Sequence, residues 1–122
     1  MIILMEPDMD AALLFYEKLG LRPVFVHENR WAEFQIGDIK LGLCVTQMQS
    51  IEKRTGVVFE VEDLKKVYDE LNETVEFVQE PVEAIHGVMA TIKDPGGNLI
   101  DLYQPTPERV QDLINKVKQD VK

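Results

Sequence analysis

The sequence predicts an α+β fold in which one βαβββ unit occurs twice. The order of a strand, a helix and three further strands can be traced in the first half of the chain and again in the second half. Tyr16 and Leu19, in the first predicted helix, recur as Tyr68 and Leu71 in the second. Each unit supplies four strands with an apolar face that one helix can cover, so we expect two mixed sheets that form a half-open barrel around a cleft.

The first unit covers about residues 1–46. Its opening residues are apolar and predict a strand. Asp8 is a candidate N-cap for the helix that follows, and Gly20 is the residue at which this helix is expected to end. Turn-forming residues separate three apolar stretches after the helix. They predict strands over residues 21–27, 31–36 and 39–45.

The second unit covers about residues 56–105 and follows a polar connector. Asp63 is the predicted N-cap of its helix. Its strands are predicted over residues 56–61, 75–78, 88–92 and 99–103. Pro81 and His86 fall in the loop predicted between the second and third of these strands. Residues 106–122 carry apolar side chains at helical spacing and predict an amphipathic helix, which either packs on its own domain or forms a dimer contact.

The composition is typical of a soluble globular domain, with 45% apolar and 29% charged residues in 122. A net charge of −9 argues against binding to nucleic acid or to an anionic membrane, because both require a basic surface. The short apolar start is followed by acidic residues, unlike a signal peptide, and no apolar run is long enough for a membrane span, so we expect a cytoplasmic protein. Cys44 is the only cysteine, which excludes an internal disulfide and predicts a buried thiol.

The segment Asp94–Tyr103 carries the most specific pattern in the chain. A turn rich in Pro, Gly and Asn leads into a strand in which Asp101 has apolar neighbours, although Asp is disfavoured in strands. Together with the shorter motifs Phe15-Tyr16 and Phe59-x-Val61, this segment resembles the vicinal oxygen chelate family, which includes glyoxalases, bleomycin resistance proteins and extradiol dioxygenases. The resemblance covers about residues 1–105 and implies a U-shaped mixed sheet built from paired βαβββ modules.

The resemblance also implies where a divalent metal would be bound. The family's metalloenzymes take ligands from an early position in the first strand and from the last strand of each unit. Counted along this chain, these four positions are Met1, Leu41, Gly56 and Asp101. Only Asp101 is a conventional ligand, because the other three side chains cannot hold a hard divalent ion. His86 is a further candidate, although it is more typical of an exposed loop, so no cofactor is predicted and the family's metal chemistry is disfavoured.

Strand alternation, carried from Asp101 to the other strands, predicts which side chains face the cleft. The predicted set combines aromatic rings, carboxylates and apolar walls. It consists of Trp31, Glu33, Gln35, Leu41, Leu43, Glu60, Met89, Thr91, Lys93, Asp101 and Tyr103. The two rings could stack on a planar molecule while the carboxylates meet its positive groups. Alternatively, Glu33 and Lys93 form an ion pair and Trp31 is a core residue.

These observations predict a metal-independent protein that binds a small molecule, such as a cationic aromatic antibiotic, and that forms a homodimer like the bleomycin resistance proteins it resembles. One alternative is a glyoxalase-type lyase or isomerase with an atypical or intersubunit metal site that includes Asp101. Another is a catalytically silent interaction module. The sequence does not name the ligand or decide whether the protein is an enzyme, since one fold hosts many functions.

Overall fold

The computed structural model describes residues 1–47 and 51–120. The elements of its first half are β1 (Ile2–Glu6), α1 (Met9–Lys18), β2 (Phe25–His27), β3 (Trp31–Ile36) and β4 (Ile39–Val45). The strands form a sheet in the order β1-β4-β3-β2. β1 runs parallel to β4, whereas β4 and β3, and β3 and β2, are antiparallel. The predicted βαβββ order is confirmed in this half.

The second half repeats this arrangement. Its elements are β5 (Lys53–Glu60), α2 (Leu64–Leu71), β6 (Glu76–Ala84), β7 (Gly87–Lys93), β8 (Asn98–Pro105) and α3 (Pro107–Asp120). The sheet order, β5-β8-β7-β6, is the same as in the first half. The C-terminal helix is confirmed, and the last two residues of its predicted range lie outside the described residues. No helix in the described part of the chain is long and apolar enough to span a membrane.

The two compact units of the chain are not continuous in sequence. The first comprises Met1–Thr55 together with Lys93–Leu99, which contains the turn between β7 and β8. The second comprises Gly56–Ile92 and Ile100–Lys122. The first unit therefore takes a short segment from the second repeat.

Helix α1 covers one face of the first sheet. The Asp8 side chain accepts a hydrogen bond from the Ala11 N–H at 3.1 Å, as predicted for an N-cap. Tyr16 and Phe34 lie with their ring centroids 6.0 Å apart, which places the helix on the Phe34 face of β3. The core of the first unit contains Leu4, Met9, Ala12, Phe15, Tyr16, Ala32, Phe34, Leu41 and Leu43.

Helix α2 is held at its N-terminus by two side chains. Asp63 accepts a hydrogen bond from the Lys66 N–H at 3.1 Å, and the Gln104 amide oxygen accepts one from the Leu64 N–H at 2.8 Å. Because the first N–H groups of a helix have no partner within it, both contacts satisfy donors that would otherwise be unpaired. The core of the second unit contains Val57, Leu64, Val75, Ala90, Ile92, Ile100 and Leu102.

The largest errors in the predicted boundaries concern β2, β5 and β6. Residues 21–24 are not part of β2, and β5 begins three residues before the predicted start, at Lys53. Pro81 lies within β6 rather than in a loop. A proline can be accommodated there because β6 is at the edge of its sheet, where a backbone N–H that faces away from the neighbouring strand needs no partner. Part of the predicted connector, residues 48–50, lies outside the described residues.

Candidate ligand-binding site

The first sheet has one face covered by α1 and one face that the helix does not cover. Along β3, Ala32 and Phe34 are buried, whereas Trp31 and Glu33 are half-buried and Gln35 is exposed. Successive side chains of a strand point to opposite faces. Trp31, Glu33 and Gln35 therefore share the uncovered face, as the alternation predicts.

Leu41 and Leu43 do not lie on that face, and this part of the prediction is wrong. In the β3–β4 register, Leu41 pairs with Phe34 and Leu43 with Ala32. Directly opposed residues of an antiparallel pair have their side chains on the same face. Both leucines are fully buried in the core under α1. They cannot line a cleft together with Trp31.

The hairpin turns of the two units differ in length. In the first unit, Ile36 pairs with Ile39, so two residues form the turn. In the second unit, the Asp94 N–H donates a hydrogen bond to the Asn98 carbonyl oxygen, so three residues form the turn. The last of the three, Gly97, has a φ of 83°, which is typical of a turn that ends in a bulge.

The additional residue changes which positions of the two units correspond. The prediction that Leu41 corresponds to Asp101 assumes a constant spacing of 60 residues, at which Gly37 would correspond to Gly97. One residue of displacement exchanges the two faces of a strand. Asp101 stands between two core residues of β8, and the residue with the same neighbours in β4 is Gly42. The counterpart of Asp101 is therefore Gly42 and not Leu41.

The indole of Trp31 lies directly on Gly42. A Cβ atom placed on Gly42 would overlap the six-membered ring of Trp31, so only glycine leaves room for the ring in this position. Trp31 pairs with Cys44 in the register, which puts the thiol on the same face. Cys44 is only partly buried, so the expectation of a buried thiol is wrong.

We call the uncovered side of the first sheet the open face. It carries aromatic and apolar side chains around one half-buried carboxylate, that of Glu33. Its members, by the registers of the four strands, are Ile3, Met5, Phe25, His27, Trp31, Glu33, Gln35, Lys40, Gly42 and Cys44. Ile3, Met5 and Phe25 are exposed by 52%, 40% and 48%. Large apolar side chains thus remain accessible next to Trp31.

Sequence reasoning missed seven members of the open face: Ile3, Met5, Phe25, His27, Lys40, Gly42 and Cys44. Gly42 and Cys44 follow a turn of two residues, whereas Asp101 follows a turn of three, so the alternation carried over from Asp101 predicts the wrong side for both. This difference could have been recognised from the sequence, since Gly37-Asp38 and Pro95-Gly96-Gly97 are visibly turns of two and three residues.

The corresponding side of the second sheet carries Asp101 and Tyr103. The hydroxyl group of Thr91 donates a 2.7 Å hydrogen bond to Asp101 Oδ1, which fixes the orientation of the carboxylate. The ring of Tyr103 packs edge to face against His86 at a centroid distance of 5.4 Å. The Tyr103 hydroxyl group donates a hydrogen bond to the His86 carbonyl oxygen at 3.2 Å. Met89 is half-buried in the neighbouring strand.

Two other predicted site residues carry charge. Glu60 is exposed and lines an open depression of about 350 Å³ together with Val61, Glu62 and Pro105. Lys93 belongs to the first unit, and its ammonium nitrogen lies 3.9 Å from Glu52 Oε1.

The side chains at the implied metal positions do not fit a hard divalent ion. Met1 and Gly56 offer no oxygen or nitrogen ligand, and Gly42 lies beneath an indole ring. Asp101 is the one carboxylate among the four positions. His86 is exposed at the turn before β7. Within residues 1–47 and 51–120, no three His, Cys, Asp or Glu side chains are grouped as a metal site would require.

The fold and the repeated units define a protein of the glyoxalase type. Residues 1–102 match the model of the Glyoxalase/Bleomycin resistance protein/Dioxygenase superfamily, and the chain belongs to this superfamily. A search of curated proteins gives no match.

Several solved structures have the same fold. A bleomycin-binding protein complexed with bleomycin is 25% identical, with a TM-score of 0.62 over 85% of this chain and 95% of that one. TnmS3, an antibiotic binding protein from Streptomyces sp. CB03234, is 23% identical, with a TM-score of 0.66 over 85% of this chain and 93% of that one. A bleomycin resistance determinant encoded on the transposon Tn5 is 24% identical, with a TM-score of 0.59 over 85% of this chain and 94% of that one.

Proposed function

We propose that this protein binds a planar, positively charged organic molecule on the open face, without a metal ion. The observation that carries the proposal is the position of Trp31, whose six-membered ring lies against Gly42, with Glu33 in the same strand and on the same face. The ring is half-buried, so one part of it is held by the sheet while another part is accessible.

Stacking and charge explain why such a ligand is favoured. An aromatic ring stacked on an indole gains about 0.5–1.5 kcal/mol beyond its buried area, and a cation near the ring face gains a similar amount. Glu33 supplies a negative charge beside the ring, and the net charge of −9 favours the approach of cations. Exposed Phe25 and Met5 extend the apolar surface on the same face.

The superfamily relatives support the small-molecule part of the proposal. Proteins with this fold are described as bleomycin-binding and antibiotic binding. The proposed ligand for this chain is of the same broad kind, and a role of Asp101 and Tyr103 of the second sheet in ligand binding stays a prediction. Met1, Gly42 and Gly56, at three of the four implied metal positions, have no side-chain oxygen or nitrogen ligand, and this supports binding without a metal.

A fluorescence titration tests the proposal directly, because Trp31 is the only tryptophan in the chain. A panel of cationic aromatic compounds, with metal-free bleomycin as the first, is added to the protein in the presence of a chelator. Saturable quenching or a shift of the emission supports binding at the open face. The absence of any saturable change across the panel, confirmed by calorimetry, argues against it.

Two variants locate the binding site. Glu33→Gln removes the negative charge on the open face and is expected to weaken cationic ligands at least several-fold, with less effect on a neutral analogue. Glu17→Gln removes an exposed carboxylate of α1 and is the matched control, which should bind like the wild type. Equal losses of ligand affinity in the two variants would show that binding depends on the net charge of the protein and not on the position of Glu33.

The same preparation tests the glyoxalase-type alternative. Elemental analysis after addition of Ni, Zn, Mn or Fe, followed by an assay with glutathione or bacillithiol adducts, reports metal-dependent activity. A stoichiometric metal that is lost in Asp101→Ala would contradict the proposal of metal-independent binding.

A further inference from the structure

Four polar side chains are buried together in the first unit, away from the open face. We call them the Glu6 cluster: Glu6 at the end of β1, Tyr16 of α1, and Asp94 and Asn98 of the β7–β8 turn. Their exposed fractions are 0%, 0%, 3% and 1%. Carboxylates are almost never buried to this extent unless they are paired or hydrogen-bonded. The question is therefore which of the two carboxyl groups in the cluster carries a negative charge.

Asp94 is satisfied as an ionised carboxylate. Its Oδ2 accepts hydrogen bonds from the Tyr16 hydroxyl group at 2.7 Å and from Asn98 Nδ2 at 3.0 Å. Its Oδ1 accepts hydrogen bonds from the backbone N–H groups of Gly96 and Asn98, both at 2.9 Å. Hydrogen bonds from several donors stabilise the charged form of a carboxyl group. Four hydrogen bonds thus hold the Asp94 carboxyl group in place.

Glu6 has a much poorer environment for a charge. Asn98 Nδ2 donates a 2.9 Å hydrogen bond to its Oε2, but Oε1 has no hydrogen-bond partner among the described residues. Asn98 Nδ2 donates to both Glu6 Oε2 and Asp94 Oδ2, at 2.9 and 3.0 Å, so the two carboxyl groups lie on the same amide donor. Burial, followed by the adjacent Asp94, raises the pKa of Glu6 to about 9. An ionised Glu6 would place two negative charges close together in a buried site.

The turn packs directly on the end of β1. A Cβ atom on Gly96 would lie 2.6 Å from Glu6 Oε1 and 2.7 Å from the Met5 carbonyl oxygen. Asn98 Nδ2 also donates to the Met5 carbonyl oxygen at 3.2 Å. Any repulsion between the two carboxyl groups therefore acts between the end of this strand and the turn.

The other titratable groups around the site do not remove this repulsion. The pKa of Tyr16 is raised by burial and by Asp94, so its hydroxyl group stays protonated and donates to Asp94. From β5, the Lys53 ammonium group donates to the carbonyl oxygens of Gly96 and Ile51, at 3.1 and 3.3 Å. Lys53 thus contacts a backbone carbonyl group of the turn.

We propose that Glu6 and Asp94 share one proton at neutral pH, and that loss of this proton at alkaline pH releases the β7–β8 turn from the end of β1. The proton turns two adjacent carboxylates into a hydrogen-bonded pair with a single negative charge. Its loss sets like charges against each other across the contact that joins β1 to the turn. The β7–β8 turn is then a pH-sensitive element of the fold.

Infrared spectroscopy of the wild-type protein tests the shared proton. With ¹³C-labelled glutamate, a protonated glutamic acid gives a carbonyl band that is separate from the bands of ionised carboxylates and shifts on labelling. We expect this band at pH 7, where ordinary exposed glutamates are ionised, and we expect it to disappear as the pH is raised through about 9. The absence of a protonated glutamate band at pH 7 would overturn the proposal without the need for any variant.

The amide resonances of Gly96 and Asn98 test the release of the turn. Both N–H groups donate to Asp94 Oδ1, so their chemical shifts are expected to change with an inflection near the pKa of Glu6. In Glu6→Gln this inflection should be absent, whereas the control Glu17→Gln should retain it. Shifts in Glu6→Gln that follow those of the wild type would show that another group is responsible, and the proposal would fail.

Discussion

Trp31 and Gly42 form the aromatic surface of the open face. Because the indole occupies the place where any larger side chain of residue 42 would be, one glycine determines where the ring lies. The same glycine occupies the position that corresponds to Asp101 in the other repeat. The two repeats thus differ at equivalent positions by an aromatic surface in one and an oriented carboxylate in the other.

Gly42→Ala is expected to displace the indole. The added methyl group overlaps the ring, so Trp31 must move or the strands must shift, at a cost of about 1–3 kcal/mol in the free energy of unfolding. We expect a changed tryptophan emission spectrum, a lower urea midpoint and weaker ligand binding. Cys44→Ala, on the same face, is the control and should keep the wild-type emission. An unchanged spectrum in Gly42→Ala would mean that the ring does not rest on residue 42.

Glu6 makes the stability depend on pH with a defined sign. Burial and the Asp94 carboxylate raise the pKa of Glu6 from its ordinary value of 4.5 to about 9. Between these values the folded chain retains a proton that the unfolded chain has released. The stabilisation from this proton is therefore complete below the lower value and is lost progressively as the pH rises towards the upper one.

We expect the urea midpoint of the wild type to fall over this interval and to level off above it. Glu6→Gln cannot release a proton, so its midpoint should fall less, and the difference between the two proteins should change steadily with pH. A difference that is constant across the interval would contradict the raised pKa of Glu6.

At the scale of the elements, the β2–β3 hairpin contains a backbone conformation that its sequence does not favour. Glu28 and Asn29 have φ values of 51° and 53°, and the Arg30 N–H donates to the His27 carbonyl oxygen at 2.9 Å. Two residues of positive φ define a type I′ turn, for which Asn-Gly is preferred. Asn tolerates this region, whereas Glu is strained there.

Glu28→Asn is therefore expected to raise the free energy of unfolding by about 0.5–1 kcal/mol, because Asn enters the left-handed region at lower cost. The loss of the contact between Glu28 and His27 should matter little, since both side chains are about 70% exposed and exposed ion pairs contribute little. Chemical denaturation measures the change. Glu28→Ala, which has no preference for positive φ, is the control and should show no gain.

Local patterns in the sequence were sufficient for most of the elements. The bounds of β3 and β4 coincide with the predicted strands, and the predicted caps Asp8 and Asp63 both accept hydrogen bonds from their helices. These features depend on residues that are close in sequence. Pro81 was misread because its tolerance depends on the edge position of β6, which is a property of the sheet and not of the strand.

At the scale of the whole molecule, the sequence could not show which distant residues meet. Asn98 Nδ2 lies 2.9 Å from Glu6 Oε2, although the two residues are far apart in the sequence. No repeating pattern in the sequence predicts this contact. The segment that includes Asp94 and Asn98 was recognised as a turn, but its contact with the end of β1 was not. The burial of Leu41 could be predicted from the sequence. The two hairpin turns differ by one residue, and a shift of one residue decides which face of β4 is buried.

The homodimer stays a prediction, and α3 offers the place to test it. This helix lies beyond the part of the chain that matches the superfamily, and its side chains Leu113, Ile114 and Val117 are exposed. If α3 forms a contact between copies, Ile114→Glu should shift the mass measured by sedimentation towards the monomer. Asn115→Glu, which adds the same charge at an exposed polar position of the helix, is the control. A monomeric wild type would contradict the dimer.

The discontinuous first unit has a consequence for how the chain can be divided. A fragment that ends after Thr55 keeps β1 to β4 but lacks Lys93–Leu99, so the buried hydroxyl group of Tyr16 and the carboxyl group of Glu6 lose their partners. The first half of this internal duplication is thus an incomplete folding unit. The two repeats can vary independently on their strand faces, but a break in the chain between them leaves the first without the turn that completes it.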